Sequence, residues 1–412
     1  RWSRLEAVPT HSRNRRRYLE CAKIAASGLP GVRRGLWRIA RCRGRTVCPS
    51  SHSTDDGGLL RSSCVGNPQI AVQAMTAAFT SSAPGRLCLF GEHQDYLGLP
   101  VIAMAMNRRC TLHFSPLAES HVEVISSSLG PLAEYDLEHP ADISADLPLG
   151  MALRSMLEEI GKGPENGWRV RIESEVPIRA GCSSSTALLT AWIAGWLKIL
   201  NGSFNVHDVV TRCHKYEVTD YNGAGGDMDQ FACAHGGIHR FGRGDPQPLQ
   251  LPKGTFVLGD SGQPKDTQGH LRRCKDARIP LMPLIDSPAA TLNPDERVLL
   301  EGTRINRDLE SHWGLKMTSE QAAGKEMGED LTQHHNVLRD VLRLSTPRIE
   351  AMLTGARYAG AWGGKINGSG GGGCAFVLTP ETAVQQVQNA MMLAGASGAW
   401  AVEMDRGVTC QE

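Results

Sequence analysis

The stretch "PIRAGCSSSTALLTAWIAGWLKIL", residues 177–200, constrains this chain more than any other. Residues 188–200 are almost wholly apolar, so a helix there is buried in a core and not laid on a surface. The run is too short, and with Lys198 too charged, to span a bilayer. Directly in front of it stand Gly181, Ser183, Ser184 and Ser185. Both residue types are poor inside helices and good at their starts, where backbone N–H groups lack an intrahelical partner. One serine suffices for an ordinary cap. Several small residues together also let an anion such as phosphate reach the bare N–H groups at the positive end of the helix. This stretch alone leaves both readings open.

A helix buried on all sides needs a large surround, and 412 residues supply one, with room for two or more domains. A hydrophobic content of 41% with 21% charged residues reads as soluble and globular. The net charge of +1 gives no general case for nucleic acid or membrane binding. Twelve cysteines, with no C-x-x-C pair and no ligand-spaced His/Cys cluster, read as free thiols in a reducing compartment. The near-neutral total hides an asymmetry. Residues 1–74 hold fourteen Lys/Arg against four Asp/Glu, a net +10 that leaves −9 on the remainder. This leader reads as a transit peptide, a disordered basic tail, or a translation begun upstream of a true start at Met75, with the last preferred.

Beyond Met75, apolar runs at "APGRLCLFGEH", "LPVIAMAMNRRCTLHFS" and "HVEVISSS" predict strands. "MALRSMLEEIG" predicts a helix ending at Gly161, "GWRVRIESEVP" alternates as a strand, and "VHDVVTRCHKYEVTDY" has helical spacing. Strands follow at "GGIHRFG", "PKGTFVLGDS" and "AWAVEMD", and helices at "PRIEAMLTGARYAG" and "ETAVQQVQNAMMLAGA". Helices and strands mix without strict βαβ alternation, so the class is α+β. The proline-rich "DPQPLQLPKGT" marks a join, giving a leader of 1–74 and domains of 75–250 and 251–412.

Polar groups cluster at four places. "APGRLCLFGEHQDYLG" sets Arg86 on a buried strand and Glu92, His93 and Asp95 just past its end, a set able to hydrogen-bond several hydroxyls at once. The second place is the serine-rich turn. In the third, "KYEVTDYNGAGGDMDQF", Glu217 lies near a helix end and Asp227 and Asp229 follow a glycine-rich turn. A carboxylate there could hold Mg²⁺ or take a proton. The fourth is "GGKINGSGGGGCAFV", whose glycines are costly in chain entropy unless backbones must approach each other or a ligand. Each place taken alone has a plainer reading: a solvated turn, a capped helix, exposed aspartates, a flexible loop. No G-x-x-x-x-G-K-[ST] is present, no G-x-G-x-x-G stands in a βαβ context, and no nucleophile elbow precedes a triad.

In this order the motifs resemble the GHMP kinases, and within them the galactokinase pattern. "VPIRAGCSSSTAL" is similar to the phosphate loop P-x-x-x-G-L-S-S-S-A, "PGRLCLFGEHQDY" to P-G-R-V-N-L-I-G-E-H-T-D-Y, "DMDQF" to "IMDQF", and "KINGSGGGGC" to the family's glycine-rich motif. The resemblance covers about residues 83–378. It implies an N-terminal domain like ribosomal protein S5, a ferredoxin-like C-terminal domain, and ATP with Mg²⁺ between them. The implied activity is phosphorylation of the anomeric hydroxyl of galactose. The alternatives are another sugar or a non-catalytic sugar and ATP sensor.

Residue by residue, the resemblance makes Asp229 the acceptor of the hydroxyl proton and Arg86 its support. Ser185 and Glu217 hold Mg²⁺. Gly181, Ser183, Ser184 and Ser185 receive the phosphates. Glu92, His93 and Asp95, with Asp229, grip the sugar. The implied partner is a small sugar, with neither nucleic acid nor membrane, and the implied form is a monomer or homodimer. The implied place is the cytoplasm, or an organelle if residues 1–74 are a genuine transit peptide.

Overall fold

The computed structural model describes residues 77–412 apart from 222–224, 243, 289–291 and 320–322. The basic leader and Met75 lie outside the described residues.

The strands are β1 (Phe79–Phe90), β2 (Val101–Leu117), β3 (His121–Ser126), β4 (Gly130–Asp136), β5 (Gly167–Ser174), β6 (Ile238–Phe241), β7 (Gln247–Pro248), β8 (Thr255–Asp260), β9 (Gly363–Ile366), β10 (Cys374–Thr379), β11 (Gly398–Val402) and β12 (Thr409–Gln411). The helices are α1 (Pro148–Ile160), α2 (Ser184–Asn201), α3 (Val206–His214), α4 (Met228–His235), α5 (Thr267–Arg278), α6 (Pro294–Ser319), α7 (Gly324–Asn336), α8 (Pro347–Tyr358) and α9 (Val384–Leu393).

Two sheets organise them. The larger runs β12-β1-β2-β5-β3-β4, with β6 on β2 and β7 on β6, and is antiparallel except where β3 meets β5. The smaller runs β11-β8-β10-β9, wholly antiparallel. Counted within that sheet the order is 4-1-3-2, the ferredoxin-like arrangement. Residues near the C-terminus return to the larger sheet, where Thr80 pairs with Gln411 and Ser82 with Thr409.

The apolar run becomes α2, which packs on the larger sheet with Trp192 and Trp196 fully buried. Contact is close because residue 195 is glycine: a Cβ there would sit 2.5 Å from the Phe114 ring. The helix ends at Gly202 and α1 ends at Gly161, both left-handed, where a side chain would be strained. β10 is buried along its whole length, and α8 and α9 cover the smaller sheet. No described helix is long and apolar enough to cross a membrane.

Candidate active site

Buried from Ala83 to Phe90, β1 carries Arg86 into the interior at 4% exposure. Its Nε and Nη2 both reach Asp229 Oδ1 at 2.8 Å, and its Nη1 donates to the carbonyl of Gly181. One guanidinium therefore ties the first turn of α4 to the serine-rich loop. Burial opposes its charge, but Asp229 and Glu92 outweigh burial and raise its pKa.

The start of α2 is not an ordinary cap. An ordinary cap has extended backbone and a side-chain oxygen accepting from the first turn. Ser183 instead has φ 58°, and its side chain makes no cap hydrogen bond. Its buried hydroxyl has no partner. Polar hydrogen-bonding capacity is left over at the positive end of the helix, as an anion site requires.

Glu217 lies on a π-helical turn, Lys215–Thr219, directly after α3. It accepts from Ser185 Oγ at 2.9 Å, from Thr186 Oγ1 at 2.8 Å and from Gln230 Nε2 at 2.9 Å. Burial and then the Asp229 charge raise its pKa, against the pull of these donors. The Glu217 carboxylate beside the Ser185 and Thr186 hydroxyl oxygens, its charge opposed by that of Asp229, offers the oxygen ligands that fit a hard divalent cation. Ser185 and Glu217 are the residues that would hold Mg²⁺.

Past the end of β1, Glu92 Oε2 accepts from Lys365 Nζ at 2.9 Å and from the Gly368 N–H at 2.8 Å. Burial opposes its ionisation, yet Lys365 and Arg86 hold it at about 2. Part of Glu92 is thus committed to the glycine-rich loop. His93 sits at φ 65°, an uncommon conformation for a side-chain-bearing residue. Its Nδ1 meets Tyr96 Oη at 2.8 Å, while its Nε2 is buried without a partner. Burial and then Arg278 lower its pKa to about 3, so the ring is neutral. Asp95 opens a short turn, Asp95–Leu97, against residue 226, where a Cβ would lie 2.4 Å from Asp95 Oδ2. Burial and then Asp229 push Asp95 up to about 7.

The run of glycines serves contact between backbones. A Cβ on Gly373 would lie 2.5 Å from the Ala180 carbonyl, and one on Gly368 would lie 2.6 Å from that of Gly181. Asn367 completes the joint, donating to the carbonyls of Arg86 and Gly181 and accepting from the Cys88 N–H.

One cleft brings together every residue singled out as a site residue: Arg86, Glu92, His93, Asp95, Gly181, Ser183, Ser184, Ser185, Glu217 and Asp229. Asp227, also marked in the sequence, stays exposed at the start of α4 and does not line it. Sequence reasoning missed Arg179, Gln230, Lys265 and Ser369, which line the same cleft. Arg179, Gln230 and Ser369 lay inside marked motifs and Lys265 just past a marked strand, but no spacing distinguished them.

Residues 146–237 match the GHMP kinases N terminal domain, 319–396 match GHMP kinases C terminal, and 72–116 match the galactokinase galactose-binding signature. Mevalonate kinase of Thermococcus gammatolerans is 27% identical over 330 residues, spanning 77% of this chain and 93% of that kinase. The fold is similar to Lactococcus lactis galactokinase solved with galactose (TM-score 0.67, 19% identity, 81% of this chain and 95% of that one). It is also similar to Methanococcus jannaschii mevalonate kinase (TM-score 0.66, 17% identity, 82% and 100%).

Proposed function

The chain belongs to the GHMP kinases, ATP-dependent phosphotransferases with alcohol acceptors, and on that premise we propose that it phosphorylates a sugar, galactose by preference, at the anomeric hydroxyl. The carrying observation is the Arg86–Asp229 pair beside a serine-lined helix start. A base and an anion site share one cleft.

Asp229 takes the proton of the acceptor hydroxyl through its carboxylate, and Arg86 fixes that carboxylate and tempers the charge developing next to it. Ser183, Ser184 and the N–H groups after Gly181 bind the phosphates. Mg²⁺ held by Ser185 and Glu217 would neutralise charge on the β- and γ-phosphates. His93 Nε2 and Asp95 bind acceptor hydroxyls, while Glu92 chiefly fixes the loop that holds them. Little covalent chemistry is asked of the protein, so positioning these few groups suffices.

The galactose reading is supported by the galactose-binding signature over 72–116. It also gains from the acceptor side of the cleft, where Asp95 and Asp229 suit a neutral polyhydroxyl better than an acid. The second reading is mevalonate, favoured by the curated relatives of that name. A coupled ADP-release assay over galactose, glucose, mannose, amino sugars, heptoses and mevalonate separates them. Galactose is expected to lead. Release with mevalonate alone replaces the sugar reading, and release with no acceptor overturns the kinase reading.

A further inference from the structure

The cleft contains a cation to which the chemistry above gives no task. Lys265 lies between β8 and α5, 7% exposed, and its Nζ has no hydrogen-bond partner. A buried ammonium without a partner is expensive, and such groups are retained where a ligand completes them. Its surroundings identify the ligand. A Cβ built on Gly181 would lie 2.6 Å from Lys265 Nζ, so the ammonium rests on the loop in front of α2. Arg86 grips the carbonyl of the same glycine. Ser183 Oγ and Ser369 Oγ, both buried and unpartnered, line the same cleft. An ammonium and two hydroxyls, all lacking partners and gathered at a helix start, suit a group with several anionic oxygens.

Resting on the kinase reading, we propose that Lys265 is a catalytic residue whose Nζ donates to an oxygen of the transferring phosphoryl group, as a second cation beside Arg86. In the step it serves, the acceptor oxygen bonds to the γ-phosphorus as the bond to the β–γ bridging oxygen breaks. The bridging oxygen leaves with ADP and the electron pair, the acceptor proton passes to Asp229, and Lys265 keeps its own proton throughout. Charge spreads over the phosphoryl oxygens during transfer, so a fixed ammonium favours the transition state over the ground state. A carboxylate on the acceptor is the less suitable occupant, because Asp95 and Asp229 already make that side acidic.

The test compares wild type, Lys265→Gln and Lys265→Arg by steady-state kinetics. Titration calorimetry then measures ADP against the β,γ-imido analogue of ATP. Lys265→Gln is expected to lose about 10²-fold or more in kcat. It should weaken the ATP analogue about tenfold relative to ADP while leaving the acceptor KM within about twofold. Lys265→Arg should recover part of the loss, and it carries the test if the Gln variant does not fold. Equal weakening of both nucleotides, an acceptor KM rise with kcat retained, or an unaltered kcat overturns the assignment while wild-type turnover upholds the kinase reading. Wild-type protein that binds neither nucleotide overturns both.

Discussion

Arg86 and Asp229, 143 residues apart, meet through a single oxygen: Nε and Nη2 both reach Oδ1 at 2.8 Å, and Oδ2 stands outside the pair. The carboxylate is fixed without being fully occupied, which is the state a general base needs. Asp229→Asn keeps the shape but can neither take a proton nor carry the charge. Its kcat should fall about 10²–10⁴-fold with nucleotide affinity preserved. Steady-state rates and nucleotide titration check this, and an Asn variant with most of the wild-type kcat removes Asp229 from the role.

Glu217 joins α3 to the start of α2 through Ser185 and Thr186. Glu217→Ala should raise the Mg²⁺ concentration for half-maximal rate several-fold and change the sugar KM less. Magnesium titrations at saturating sugar decide it. Unchanged Mg²⁺ dependence with weakened sugar binding assigns the wrong carboxylate.

Asp95 titrates at about 7 because burial and Asp229 disfavour its charge. The sign follows from linkage. The unfolded chain releases this proton near pH 4, the folded protein only near pH 7, so stability falls as pH rises between them and the cost is complete above 7. Asp95→Asn should therefore melt above wild type by a larger margin at pH 8.5 than at pH 5. Calorimetric melting at both values is the check, and equal margins refute it.

The same residue should set sugar choice. A buried acceptor left unpaired costs about 1–3 kcal/mol, so a mismatched hydroxyl gives roughly tenfold discrimination or more. Asp95→Ala should shrink the galactose-to-glucose ratio of kcat/KM, not merely lower both values. A ratio that stays constant in the variant places discrimination elsewhere.

Lys365 and Glu92 form a buried pair, with side chains 0% and 3% exposed, that fastens the glycine-rich loop to the end of β1. Lys365→Met strands a carboxylate in the interior and should cost about 3–5 kcal/mol. Pairing it with Glu92→Leu should restore part of that loss. Urea unfolding of the three proteins tests this, and a single variant as stable as wild type refutes it.

Much of this was legible in the chain. The buried helix, its serine-rich start, the polar cluster after β1 and the costly glycines are local signals, carried by hydropathy, caps and backbone entropy within a few residues. The glycine reading left backbone and ligand contact open, and contact between Gly368, Gly373 and the loop at 180–181 answers it. Of the described helices, α4, α5, α6 and α7 went unmarked. α6 buries Asn306 and Glu310 beside Trp313 and Met317, and Glu310 is paired with Arg240. Its inward stripe is therefore half polar, and hydropathy periodicity cannot find it. α5 is polar along most of its length and buries little beyond Cys274 and Arg278.

The sequence by itself determined which segments bury and where an anion could approach, because those properties are set by neighbours along the chain. Tertiary structure alone decided which distant groups meet: Arg86 with Asp229, Ser185 with Glu217, Lys365 with Glu92, and Lys265 with the loop at Gly181. Ion pairs and hydrogen bonds depend on distances of a few ångströms. Only the packing of the elements fixes those distances.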